Sequence, residues 1–249
     1  MPLSPDRGVY ISFWKVRGFS RNNEMYKTET HLHTSEVSRC GKVSAAEMIS
    51  RCKDAGYTTV FVSDHITPAY FKRYGELTWE EKISRHLRGY RAAKEAGDTL
   101  GVCVLLSSEL RFEDSVNDYL LYGIDEQFLL ECRDIFSMQI EAFIDYAHAR
   151  GVSVIQAHPM RSGKCTPTPL HVDGMEVYNT NPRHENFTAE TLAVAVQHGL
   201  LITSGSDAHR PEDVARGGII TDTPITSAAE YIAALRTGKY RCLGIPENI

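Results

Sequence analysis

Short β-branched or apolar segments recur along this chain, separated by stretches of helix length, and that alternation limits the fold more than any other feature. Residues 27–32, 57–62, 100–106, 119–122, 152–157, 174–178, 200–204 and 218–221 read as strands, rich in Val, Ile, Leu, Thr and Tyr. Between them lie helices with recognisable ends. One opens at the capping box Ser44-Ala45-Ala46-Glu47 and stops near Gly56. A second opens at Thr78-Trp79-Glu80-Glu81 and ends near Gly97. Others run from about Ser137 to Gly151 and from Thr188 to His198, where Gly199 closes the turn. The last opens at Ser227-Ala228-Ala229-Glu230 and ends at Gly238.

Strands that alternate with helices of ten or more residues imply parallel βα units, and about seven can be counted. That number suits a closed α/β barrel better than an open sheet. The absence of a glycine-rich dinucleotide or P-loop fingerprint points the same way. No Pro- or Ser-rich linker interrupts the pattern, so residues 26–249 are expected to form one barrel domain. Residues 1–25 have no clear period and read as an extension of unclear structure.

Composition mainly excludes. The formal net charge of −5 argues against a dedicated nucleic-acid binder and a stable nucleic-acid partner. The six cysteines are scattered with no C-x-x-C, which fits free thiols in a reducing cytoplasm better than zinc fingers or a disulfide framework. No apolar run approaches the roughly 18 residues of a membrane span, and the first residues lack a signal-peptide pattern. The expected protein is therefore cytoplasmic and not membrane-bound.

The chemistry gathers at strand ends. His31-Leu32-His33 puts two imidazoles on one side of a strand, because residues i and i+2 point the same way. Asp64-His65 follows the strand 57–62, Glu109 follows 100–106, and Asp118 precedes 119–122. His158-Pro159 follows 152–157, with Pro159 biasing His158 towards an extended backbone. Ser206-Asp207-Ala208-His209 follows 200–204. Five of the ten histidines, His31, His33, His65, His158 and His209, thus fall where a parallel barrel builds its active site. Mixed imidazole and carboxylate donors suit Mn, Fe or Zn, not a thiolate centre. His86, His148, His171 and His198 lie in helices or a loop and read as packed or surface histidines. Arg161 and Lys164, after His158, and Arg183 and His184, after the strand 174–178, are candidate phosphate-binding groups.

Taken in order, H-L-H, S-D-H, S-E, H-P and S-D-A-H resemble the PHP (polymerase and histidinol phosphatase) family over residues of about 27 to 245. The resemblance implies a distorted seven-stranded βα barrel, two or three divalent ions (Mn, Fe or Zn) and hydrolysis of phosphate esters. By that resemblance His31, His33, Glu109 and Asp207 hold one metal, and Glu109 bridges to a second that His158 also binds. His65 and His209 hold a third, with Asp64 as their acidic companion. Asp207, His209 and Asp64 are the catalytic candidates. The chain departs from the family's pattern in two places. Arg39 stands where an Asp is common, with Glu36 as the nearby substitute, and Asn117-Asp118 stands where a His is common, with Asp118 as the replacement ligand. The expected reaction is hydrolysis of a phosphate monoester or diester of a small molecule or nucleotide by a metal-bridging hydroxide. A histidinol-phosphatase-like or 3′–5′ exonuclease-like activity, an amide hydrolase of the wider metal-barrel class, and a non-catalytic metal-binding scaffold remain alternatives.

Overall fold

The computed structural model describes residues 24–245. The expected N-terminal extension therefore lies, but for its last two residues, outside the described residues. β1 (Tyr26–Leu32) ends in the H-x-H pair, and α1 (Ala45–Asp54) starts at Ser44, whose side chain accepts the Glu47 amide. β2 (Tyr57–Val62) is followed by the short β3 (His65–Ile66) and α2 (Pro68–Lys72).

The single helix expected to end near Gly97 is two helices, α3 (Trp79–His86) and α4 (Arg88–Leu100), meeting at Leu87. Gly101, in the left-handed conformation, is the residue that ends α4. Gly97 has a different task. A Cβ there would lie 2.5 Å from Val104 Cγ2 and 2.6 Å from the Val102 carbonyl oxygen, so glycine lets the helix close on the strand beneath it. Gly97→Ala is accordingly expected to destabilise, although alanine favours helix by about 1 kcal/mol. Overpacking costs about 1–3 kcal/mol, and a lowered urea midpoint would register the difference.

β4 (Cys103–Leu106) and β5 (Glu109–Leu110) follow, then β6 (Asp118–Tyr122), α5 (Glu126–Glu131) and α6 (Ile140–His148). The chain continues through β7 (Ser153–Ala157), β8 (Gly174–Asn179), α7 (Thr188–Gln197) and β9 (Leu201–Gly205). It ends with β10 (Ile219–Thr221), α8 (Ala228–Thr237) and β11 (Arg241–Cys242).

The result is a mixed α/β fold with two sheets, ordered β11-β10-β1-β2-β4 and β3-β5-β6-β7-β8-β9. The sheets meet at two seams. At one, the Ser107 amide donates to the Val62 carbonyl and the Glu109 amide to the Asp64 carbonyl. At the other, the His33 amide donates to Ala208 and the Ala208 amide to His31, which lays the turn after β9 along β1.

The strands are not all parallel, as the alternation alone had implied. β6 runs antiparallel to both β5 and β7, and β10 is antiparallel to β1 and β11. Residues 111–117 link β5 to β6 without a helix, and a parallel crossover needs roughly a dozen residues or more. Reversal brings Asp118, at the leading end of β6, level with Ala157 at the trailing end of β7. β2 is buried on both faces: Val60 and Val62 pack with Met48, Ile49 and Ala93 of the helices, and Phe61 packs with Leu120, Tyr122 and Ile155. Among the described residues no helix is long and apolar enough to cross a membrane, and all six cysteines are free.

Candidate metal centre

The expected strand-end residues meet at one place. His31 and His33 are fully buried, and their Nε2 atoms lie 3.1 Å apart. Glu109 Oε2 is 3.3 Å from His33 Nε2, 3.6 Å from His31 Nε2 and 2.7 Å from His65 Nδ1. The other oxygen of Glu109 is 2.8 Å from His158 Nε2. Asp207 Oδ1 lies 3.3 Å from His33 Nε2, 3.5 Å from His31 Nε2 and 3.4 Å from His209 Nδ1. The His33 ring stacks on both His65 and His209, with centroids 4.3 Å away in each case. Three donor groups result: His31–His33–Asp207, His31–Glu109–His158 and His33–His65–His209.

Divalent cations fit this arrangement. Glu109 Oε2, Asp207 Oδ1 and His65 Nδ1 are buried with no neutral hydrogen-bond donor or acceptor to satisfy them, only one another and the neighbouring imidazoles. Imidazole nitrogens and carboxylate oxygens turned inward on one point are good ligand geometry. Electrostatics agrees. Burial pushes the carboxyls of Glu109 and Asp207 up, yet neighbouring imidazoles, His65 and His31 for Glu109 and His31 for Asp207, hold both well below the carboxylate range. Burial also works against a proton on His31, but Glu176, Asp207 and Glu109 outweigh it and raise that imidazole well above its usual value. The space between these side chains is thus a place for positive charge.

Residues 183–240 match a family described as PHP-associated. The fold is similar to a two-domain Bacteroides vulgatus protein containing a predicted PHP-like metal-dependent phosphoesterase, with a TM-score of 0.65 and 17% identity over 88% of this chain and 65% of that one. The family match is confined to this C-terminal segment, and the likeness to the Bacteroides protein is one of fold. The chain is also similar in fold to a lesion-specific endonuclease from Pyrococcus furiosus (TM-score 0.59, 15% identity, 88% of this chain and 58% of that one). A third likeness is to an amidohydrolase from Chromobacterium violaceum (TM-score 0.53, 16% identity, 90% and 100% covered). This chain therefore spans less than two thirds of the Bacteroides and Pyrococcus proteins. No curated protein matches it in sequence.

Several residues singled out from the PHP pattern stand beside the donor groups without joining them. Asp64 accepts from the Thr34 amide (2.8 Å), the Thr34 hydroxyl (2.6 Å) and the Ser38 hydroxyl (2.6 Å), pinning the turn that follows H-x-H. Ser38 Oγ is in turn 3.4 Å from His33 Nδ1. Glu36 spends both oxygens on the Ala45 amide, at 3.0 Å each, and so serves the start of α1. Asp118 is buried and held by two arginines: Arg111 donates to it at 2.7 and 2.5 Å, and Arg161 at 3.1 Å. Its nearer oxygen is 3.9 Å from His158 Nε2.

Arg161 Nη1 also lies 3.1 Å from His158 Nε2, so it reaches the centre itself. Arg183 pairs with Asp213 through both terminal nitrogens, at 2.6 Å each. Asp213 accepts the His209 and Arg210 amides at 2.9 Å as well, and the ion pair thereby shapes the turn that carries His209. His184 and Lys164 are exposed. Partial burial, then the nearby Arg161, lowers the His184 pKa.

Four further residues belong to the centre and were not singled out from the sequence. Glu29, fully buried, accepts the amides of Thr30, His31 and Ser206 and the Ser206 hydroxyl, tying β1 to the S-D-A-H turn. Burial pushes its pKa up to about 7. Its signal was available, because residues 29, 31 and 33 share a strand face. Asn181 donates to the Asp207 carbonyl at 3.0 Å. Cys40 Sγ lies 3.6 Å from the Tyr70 hydroxyl, and the nearby imidazoles of His209 and His65 overcome burial to hold its thiol down to about 4. Glu176 binds His31 and is taken up below. Two candidate ligands have unusual backbones: His158 has φ +31° and Asp207 φ +47°. Pro159 does not hold His158 extended, because the amide of His158 is turned onto Glu176.

Proposed function

We propose that the chain is a metal-dependent phosphoesterase acting on a small phosphorylated molecule, nucleotides included, in a reducing cytoplasm. The observation that carries this reading is the convergence of buried imidazole and carboxylate donor atoms on one point. In it, His31, His33, Glu109, His158 and Asp207 hold two divalent ions, Mn, Fe or Zn, and His65 and His209 with His33 hold a third. Such ions supply Lewis acidity and make water nucleophilic near neutral pH. The two sheets, joined at their seams, act as one distorted seven-stranded barrel whose mouth carries the cluster.

The chain's own groups do the rest. Asp64 keeps the turn after His33 in place through Thr34 and Ser38. The 2.8 Å contact from His209 Nδ1 to the Asp207 carbonyl keeps a proton on Nδ1, and leaves Nε2 as the atom that can take a ligand or a proton. Asp118 presents Arg161 and Arg111 side by side next to His158. Their spare N–H groups suit the phosphoryl oxygens of a substrate, since guanidinium forms charge-assisted bonds to phosphate.

Turnover of an aryl phosphate, nucleotides, sugar phosphates and short oligonucleotides by protein supplied with Mn, Fe or Zn tests the reading. No turnover in the whole panel by metal-loaded protein would leave a binding module. Arg161→Ala is expected to lower kcat/KM by roughly 10- to 100-fold, the loss of one charge-assisted hydrogen bond. Metal content should be unchanged and Arg161→Lys should rescue poorly. Wild-type kcat/KM in the alanine variant would remove Arg161 from the substrate site.

A further inference from the structure

Glu176 stands in the middle of β8, 1% exposed, in the buried run Gly174–Asn179. A carboxylate in such a run needs partners, because desolvating a charge is costly unless it is hydrogen-bonded. It has three. Oε1 lies 2.9 Å from His31 Nδ1. Oε2 accepts the backbone amide of His158 at 3.1 Å and the Asn179 side-chain amide at 2.8 Å. One carboxylate therefore holds two members of the His31–Glu109–His158 donor group, one through its ring and the other through its backbone.

The ring contact decides which nitrogen of His31 can serve as a ligand. A carboxylate can only accept, so Nδ1 must carry the proton, and Nε2 is the atom turned towards Glu109 and Asp207. The backbone contact matters because His158 sits at φ +31°, a region that residues other than glycine occupy only when their surroundings hold them there. Space has been left for this carboxylate. A Cβ on Gly205 would lie 2.3 Å from Glu176 Oε1 and 2.6 Å from His31 Cβ. Glutamine cannot replace the carboxylate fully. It has one oxygen to offer where two are used, and its NH2 would face either the His31 N–H or the two amide donors.

We propose that Glu176 is a positioning residue of the metal centre, fixing His31 with Nε2 available to a divalent cation and seating His158 through its amide. The proposal rests on the metal-binding reading above and would be tested by chelator competition with Mn or Zn on wild-type, Glu176→Gln and Asn179→Ala proteins. Thermal midpoints would be recorded for each with metal and with chelator. Glu176→Gln should weaken metal binding by roughly 10- to 100-fold, as loss of a partner behind a ligating histidine does, and should shrink the gap between its loaded and chelated midpoints. Asn179→Ala, which removes a partner of Glu176 without touching either histidine, should give a smaller loss of the same kind and serves if Glu176→Gln does not fold. Unchanged metal affinity in Glu176→Gln, or in Asn179→Ala if only that variant folds, with equal drops in both midpoints, would make Glu176 a crosslink between strands and overturn the proposal alone. Absence of metal binding by the wild type would overturn the metal-centre reading and this proposal with it.

Discussion

Glu109→Gln is expected to remove at least one equivalent of bound divalent metal and to lower phosphate-ester turnover by more than roughly 100-fold. The magnitude follows from the observation that loss of a partner one step behind a ligand already costs about 10- to 100-fold, and in the proposed centre Glu109 is itself a ligand. Its two oxygens lie within 3.6 Å of His31, His33, His65 and His158. Glutamine keeps the size, loses the charge and leaves one oxygen for four imidazoles. The fold should survive, because packing is carried by the strand and helix faces away from the cluster. Elemental analysis, turnover and circular dichroism on the same sample decide the matter. A variant with its full metal complement and normal turnover would place Glu109 outside the centre.

The second large effect concerns protein stripped of metal. Burial draws the His158 pKa down, but contacts from Cys165 and Glu109 overcome it and raise the value to about 9. His31, His33 and His65 move in the same direction against their own burial. Between about pH 6.5, the unfolded value, and about 9, the folded chain binds more protons than the unfolded one. Stability from this source is therefore complete below about 6.5 and is lost as the pH rises through the folded value. For His158 alone the loss is on the order of 3 kcal/mol. Glu109 and Asp207 act in the opposite sense: their lowered values favour the fold above the ordinary carboxylate range, and that contribution disappears in strong acid. Chelated protein should thus lose thermal stability from about pH 6.5 to 9. Metal-loaded protein should hold its own there, because ligation needs neutral imidazole and strengthens with pH. Melting curves in chelator and in excess Mn across that range test both halves. A flat chelated curve would mean that these histidines carry no extra protons in the fold.

What could be read from the sequence was whatever leaves a local period or a local stop. H-x-H, the residues after β2, β4 and β7, and the caps at Ser44, Thr78 and Ser227 are of this kind, and each stands where its spacing implied. Long-range partnerships left no such trace. Asp118 was recognisable as a replacement ligand, yet its pairing with Arg111 and Arg161 depends on groups 7 and 43 positions away. Nothing local announced that Arg183 would pair with Asp213, 30 positions on. Glu176 was hidden in an apolar run because the identity of the group it faces comes from β1, 145 positions earlier. Gly97 was misread since glycine signals both a helix stop and a close approach, and only packing against Val104 tells the two apart. The reversal of β6 is legible only in the length of residues 111–117, too short for a parallel crossover, and not in the alternation of strands and helices.

The left-handed backbones at His158 and Asp207 bear on how a chain like this can evolve. Each such residue costs about 1–3 kcal/mol that glycine would largely recover. Glycine at either position would relax the main chain and delete a donor in the same step. Selection for heat resistance alone, in the laboratory or in a lineage that no longer needed the activity, would find these two positions early and would erase the chemistry while improving the scaffold.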